Sequence, residues 1–423
     1  MSHGGTGDQL RDRAERDPAT VEVKEIISTL TRESKSEQEA TLTALKIVTK
    51  ADVAAAKEAV DQLQRKLSCD QLLVRRRAAY GLGVIAHTQP EIVKDAIPAL
   101  RESIEDQSKL VSSAALRTIA RIGEAESSAV RDILPEMSKF LQDDALIVQE
   151  SALKVVAIAA EEDPQTVATM VPTILNRFTT GQERHIASES FSQRRDMPRQ
   201  LRRKSRDAKQ ADVRVQIQMA AVLATAAENA PDEFVKHLPL IVQQLAQESN
   251  QTIQRALIDV IGFIAEANPD AGSPAIPVLS RILKETDDTT VRAKTAWALA
   301  AIAAESPMQV TQAVSHHTNA FETLLTANSP QAIGAGVGLL SYVAEKEPAA
   351  IKSHLEKIRN LVETEESYIR GSCVWIIGYA GNHDDLELLQ NRAETDRDLS
   401  VREAASEARE VLASRIASAD ENP

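Results

Sequence analysis

The chain has 423 residues, 43% apolar but only 3% aromatic, with 49 Lys or Arg against 62 Asp or Glu for a net charge of −13. That acid excess argues against generic nucleic-acid binding, which draws its affinity from phosphate neutralisation. No run approaches the ~18 apolar residues of a membrane helix, the polar N-terminus holds no signal-peptide core, and two cysteines, Cys69 and Cys373, exclude a disulfide framework and fit a reducing cytoplasm.

Residues 1–19, glycine-rich and then densely charged, are expected to form a disordered leader. Helical periodicity begins near Val21, where Val23, Ile26 and Leu30 share one face. Residues 36–49 and 55–68 continue it without prolines, as an atypical terminal repeat would. From residue 69 a repeat is plain. The stretch 148–160 buries Ala152, Leu153, Val156, Ala159 and Ala160 at helical spacing; Asp163 and Pro164 then cap and open a new helix that contains Pro172.

With Val148 as position zero, the equivalent residues are Glu37, Val74, Val111, Val148, Val215, Ile253, Val291, Ala332, Ile369 and Val401, spaced 37, 37, 37, 67, 38, 38, 41, 37 and 32 apart. Prolines follow at position sixteen (Pro90, Pro164, Pro231, Pro269, Pro307, Pro348) and at position twenty-four (Pro98, Pro135, Pro172, Pro239, Pro277), so eleven of 16 prolines mark two points of one repeat. An interior proline at position twenty-four is expected to kink its helix. A period in this range means stacked helix pairs, and it overrides the length prior of about three domains.

Each unit thus has a first helix with prolines, a turn carrying Asp (Asp70, Asp144, Asp287), and a second helix opened by Val-Arg, as at Val74-Arg75, Val291-Arg292, Ile369-Arg370 and Val401-Arg402. This pattern resembles the HEAT repeat over roughly residues 20–416. The resemblance implies an all-α, right-handed α-α superhelical solenoid of about ten HEAT-like helix pairs. Ser112, Gln149, Gln216 and Gln254 replace the arginine, so an Asp–Arg ladder is expected to break in the middle.

The 67-residue spacing contains an insertion, 182–211, with nine Lys or Arg against four Asp or Glu. It is expected to leave the body as a basic loop between N-terminal repeats (20–181) and C-terminal repeats (212–416), the last helix (401–416) acting as a cap and 417–423 as a frayed tail. Arg194, Arg195, Arg199, Arg202, Arg203, Lys204, Arg206 and Lys209 form an arm that either lies on the acidic body or docks an anionic partner such as nucleic acid.

Sorting helix faces yields a second candidate. In the second helices the buried positions are zero, four, five, eight, eleven and twelve; at about 100° per residue, positions six and ten point away from them. Position six holds Tyr80, Arg117, Lys154, Ala221, Asp259, Trp297, Gly338 and Trp375, and position ten holds Val84, Arg121, Ile158, Thr225, Phe263, Ala301, Tyr342 and Tyr379. Tyr80, Asp259, Phe263, Trp297, Tyr342, Trp375 and Tyr379 are therefore candidate partner-binding residues on an inner groove, since exposed aromatic anchors are typical interaction hot spots. The same rings can instead wedge between neighbouring second helices.

Catalytic chemistry finds no motif: there is no His-Glu-x-x-His, no Cys-x-x-Cys, no phosphate-cradling Gly-rich loop and no Gly-x-Ser-x-Gly. His316-His317 point to different helix faces, and His383-Asp384-Asp385 opens a helix. No catalytic residue, metal site or cofactor is expected. The sequence reads as a non-catalytic cytoplasmic scaffold that binds another protein along the groove. The alternatives are a nucleic-acid-associated HEAT protein using the 194–209 arm and, third, a lyase-type HEAT-like enzyme.

Overall fold

The structure, a computed structural model, describes residues 6–32, 35–179 and 199–421. It comprises two compact units, Met1–Asn229 and Ala230–Pro423. Among the described residues the regular structure is helical throughout, with no strand.

The repeat register predicts the helix starts. Nine of the ten zero positions are the third residue of a described helix, from Glu37 in Lys35–Ala51 to Val401 in Leu399–Glu421. Val215 is the exception, lying well inside Arg199–Asn229. The core positions follow the same rule. In Thr289–Ala303 the side chains of Val291, Thr295, Ala296, Leu299, Ile302 and Ala303 are all fully buried, and these are positions zero, four, five, eight, eleven and twelve. Alanine at 18 of the 60 such positions lets neighbouring second helices approach closely, so the core is built from small and branched aliphatic residues with few rings.

The first helices differ from expectation. Pro90, Pro164, Pro231, Pro269, Pro307 and Pro348 each begin a helical segment, where the missing N–H costs nothing. The second set does more than kink the helix. Pro98, Pro239 and Pro277 are the second residues of Ile97–Ile104, Leu238–Gln247 and Ile276–Glu285, new segments that follow 3₁₀ turns at Lys94–Ala96, Val235–His237 and Pro269–Ala275. Proline lacks the N–H that would bond back across the junction, so the helix divides there.

At Gln149 and Gln254, two of the glutamines expected to break the ladder, a bond to the backbone takes its place, whereas Gln216 donates to the Asp212 carboxylate four residues upstream. Arg75, Gln254, Arg370 and Arg402 donate to the carbonyls of Cys69, Glu248, Thr364 and Asp396, at 2.9, 2.6, 2.9 and 2.7 Å. Gln149 and Arg292 do the same to Asp143 and Thr286. In each case the acceptor lies six residues upstream, at the end of the preceding helix, where carbonyls lack intrahelical partners. An amide N–H serves there as well as a guanidinium. Successive repeats are also joined through carboxylates: Arg75 holds Asp106 at 2.6 Å, Arg255 holds Asp288 at 2.5 Å and Arg370 grips Asp396 through two bonds.

Three boundary expectations are corrected. From Thr6 onward the leader is not disordered: Thr6–Arg16 is a helix whose Leu10 and Ala14 are buried against Lys35–Ala51, while residues 1–5 lie outside the described residues. Gly7 makes that approach possible, because a Cβ there would lie 2.6 Å from the Glu37 carbonyl oxygen. The insertion is not a loop throughout. Residues 199–211 are the first turns of the 31-residue helix Arg199–Asn229, while 182–198 lie outside the described residues. Between Pro198 and Asn229 no glycine or proline interrupts a run rich in Ala, Arg and Gln, all good helix formers. This helix packs on Leu146–Glu162, so the first unit extends to Asn229. The tail is likewise helical through Glu421, for want of a stop signal.

Candidate binding face of the second helices

In the second unit, Asp259, Phe263, Trp297, Tyr342, Trp375 and Tyr379 are all half-buried, neither core nor fully exposed. Trp297 is wedged against a neighbouring second helix on one side and open on the other. Trp297 lies back on the neighbouring helix Gln251–Ala267: a Cβ on Gly262 would sit 2.0 Å from its Cζ3. Its ring meets Phe263 edge-on at 5.4 Å and 74°. Its indole N–H donates to Glu266 Oε1 at 2.8 Å. Trp375 and Tyr379, one turn apart on Ser367–Ala380, stack at 5.7 Å and 23°. Burial and the nearby Glu345 carboxylate push the Tyr379 phenol up.

The free side of Trp297 lines a depression of about 440 Å³. Tyr342 forms a second wall, the floor is small (Ala300, Ala301, Gly338, Ser341), and Glu266 is the one charged residue in its lining. Gly338 sits at the same repeat position as both tryptophans, and nothing lies within 4 Å of where its Cβ would be. Its lack of a side chain is what leaves the space open. The polar groups beside the stripe are engaged with one another: Lys294 holds Asp259 at 2.5 Å, and Lys346 pairs with Glu345.

A sequence model of Cnd1, non-SMC mitotic condensation complex subunit 1, matches residues 73–197. No curated protein matches. Among solved structures 412 chains match, so the fold is widely shared and by itself selects no activity. One of them, from work on a phosphorylation switch that controls the interaction between cadherin and β-catenin, aligns with a TM-score of 0.60 over 92% of this chain and 80% of that one. The chain is an armadillo/HEAT-like helical solenoid. At 11% identity that likeness shows fold alone.

The other predicted site residues that the structure describes belong to the first unit. Tyr80 belongs to the first unit, half-buried, with the Arg76 guanidinium 5.4 Å over its ring. Arg194 and Arg195 lie outside the described residues. Arg199, Arg202, Arg203, Lys204, Arg206 and Lys209 belong to Arg199–Asn229, which begins about 14 residues earlier in register than its neighbour Leu146–Glu162, roughly 21 Å of helix at 1.5 Å per residue. Further along that helix Asp212 is buried and paired with Arg177.

Sequence reasoning missed Glu266 and Gly262. Glu266 is position thirteen, which at about 100° per residue falls on the same face as six and ten; sorting that position would have found it. Among the described residues no group of three or more His, Cys, Asp or Glu is arranged to hold a metal ion, and no helix is long and apolar enough to cross a membrane.

Proposed function

We propose that this solenoid is a non-catalytic scaffold that holds a segment of a partner protein against the exposed second-helix face of residues 230–423. The observation that supports this is the open, aromatic-walled depression between Trp297 and Tyr342. An aromatic ring left half-exposed beside an unfilled space offers a partner apolar area at little ordering cost, which is what interface anchors do. The local likeness to a condensation-complex subunit agrees with work inside a multiprotein assembly. Two free cysteines, one with its thiol pushed up to about 12 by burial and so inert, fit a cytoplasmic setting.

The test is capture from native lysate by wild type, by Trp297→Ala/Trp375→Ala and, independently, by Gly338→Leu. Gly338→Leu puts a side chain into the depression from a position where an added Cβ meets nothing within 4 Å, and its melting temperature checks that the fold is kept. Both variants should lose a partner that wild type retains. Equal capture by all three would refute the reading.

A second reading rests on Arg199–Asn229, whose first turns place six basic residues on a helix of fixed geometry. In that reading the arm docks an anionic partner such as nucleic acid. Binding of duplex DNA that weakens steeply with salt and is lost on substituting Arg199, Arg202, Arg203 and Arg206 by Glu would favour it.

A further inference from the structure

We propose that the depression between Trp297 and Tyr342 receives a cationic side chain, lysine or arginine, from a basic segment of the partner; this rests on the groove reading above. The lining offers a cation what it needs. Two aromatic side chains, Trp297 and Tyr342, line it, and indole is the strongest of the aromatic cation acceptors. The single charge in the lining, Glu266, is negative. Its carboxylate spends one oxygen on the Trp297 N–H, which fixes both groups, and its remaining lone pairs stay available to a second donor.

No resident cation occupies this role. The lining contains no Lys or Arg. Basic side chains on the helices of this face are paired locally, Lys294 with Asp259, Arg255 with Asp288 and Lys346 with Glu345. The charge of the whole unit points the same way: residues 230–423 carry 16 Lys or Arg against 28 Asp or Glu, a net of −12 out of the chain's −13. Such a field raises the local concentration of a basic segment and repels an acidic one. Gly338 completes the fit, since any larger side chain at that position would intrude on the space a long aliphatic stem must cross.

The experiment uses the full chain and fluorescein-labelled hexalysine, hexaarginine, hexaglutamate and a neutral Gly-Ser hexapeptide, followed by fluorescence anisotropy at fixed ionic strength. The basic peptides should bind and the other two should not. Glu266→Gln keeps an acceptor for the indole but removes the charge, and should weaken binding on the order of tenfold. Gly338→Leu should abolish it. Equal hexalysine binding by wild type, Glu266→Gln and Gly338→Leu would show attraction to a diffuse acidic surface and overturn the assignment, as would a preference for the neutral or acidic peptide. Those results leave the groove reading standing if partner capture still depends on Trp297 and Trp375. Failure of capture to depend on them instead removes the groove reading itself.

Discussion

Two glycines on second helices two repeats apart, one in each neighbour of Thr289–Ala303, should respond to alanine with opposite signs. At Gly338 nothing lies within 4 Å of the added Cβ, so Gly338→Ala gains only the helix-propensity difference, ~0.5–1 kcal/mol of stabilisation. At Gly262 the added Cβ would lie 2.0, 2.3 and 2.7 Å from three ring atoms of Trp297. The indole must leave its seat, which costs ~1–3 kcal/mol of overpacking or repacking and forfeits the edge contact with Phe263, ~0.5–1.5 kcal/mol. The bond to Glu266 goes with it, about 1 kcal/mol more. Set against the same propensity gain, Gly262→Ala should destabilise by about 1.5–5 kcal/mol. Thermal melting should then show Gly338→Ala a few degrees above wild type and Gly262→Ala several degrees below, at roughly 2–4 °C per kcal/mol for a unit of this size. Trp297 emission should shift to the red in Gly262→Ala alone. Equal stabilisation by both substitutions would refute the seating of Trp297 and, with it, one wall of the depression.

Arg370→Ala should cost ~3–5 kcal/mol in urea unfolding, because it leaves Asp396 buried without its partner and uncaps the Thr364 and Glu365 carbonyls. Acid should weaken the fold through the same group. The Arg370 hydrogen bonds hold the Asp396 carboxyl below the usual carboxylate range, as Arg75 does for Asp106, so their stabilisation is complete above about pH 4 and is lost as pH falls through the lowered values. His354 adds a window nearer neutrality: burial pushes it down, its Nδ1 has no hydrogen-bond partner, and only Glu322 at 3.8 Å opposes the effect of Lys357. The unfolded chain therefore takes up that proton first, stability declines as pH drops below about 6.5, and His354→Leu should flatten that part of the profile. Leu10→Ala should lower the melting temperature at a cost of ~2–5 kcal/mol, whereas a dispensable leader would show no change.

The register of the second helices was legible because burial repeats it: six positions per unit must be apolar or small, and the prolines mark where the first helices restart. The N-terminal helix was not legible, since Thr6–Arg16 buries only Gly7, Leu10 and Ala14 among dense charge, too few residues for a periodicity. The start of Arg199–Asn229 was hidden for the same reason; it is held by propensity and by continuity with its packed half, and neither produces an apolar stripe. Gln149 and Gln254 looked like breaks because the pattern was read as charge pairing, whereas the shared physical task is donation to an orphan carbonyl. The aromatic stripe was found from helix angles alone. That Trp297 rests on Gly262 depends on the spacing between two helices, which no single helix encodes.

Site-specific crosslinking tests the central claim most directly. A photoreactive phenylalanine placed at Ser341, in the depression, and another at Leu240, an exposed position on a first helix, put one probe on each face of residues 230–423. Irradiated in native lysate, the Ser341 probe should form one discrete adduct that disappears with Trp375→Ala, and the Leu240 probe should form none. An adduct from Leu240 with none from Ser341 would place the partner on the opposite helices and contradict the account.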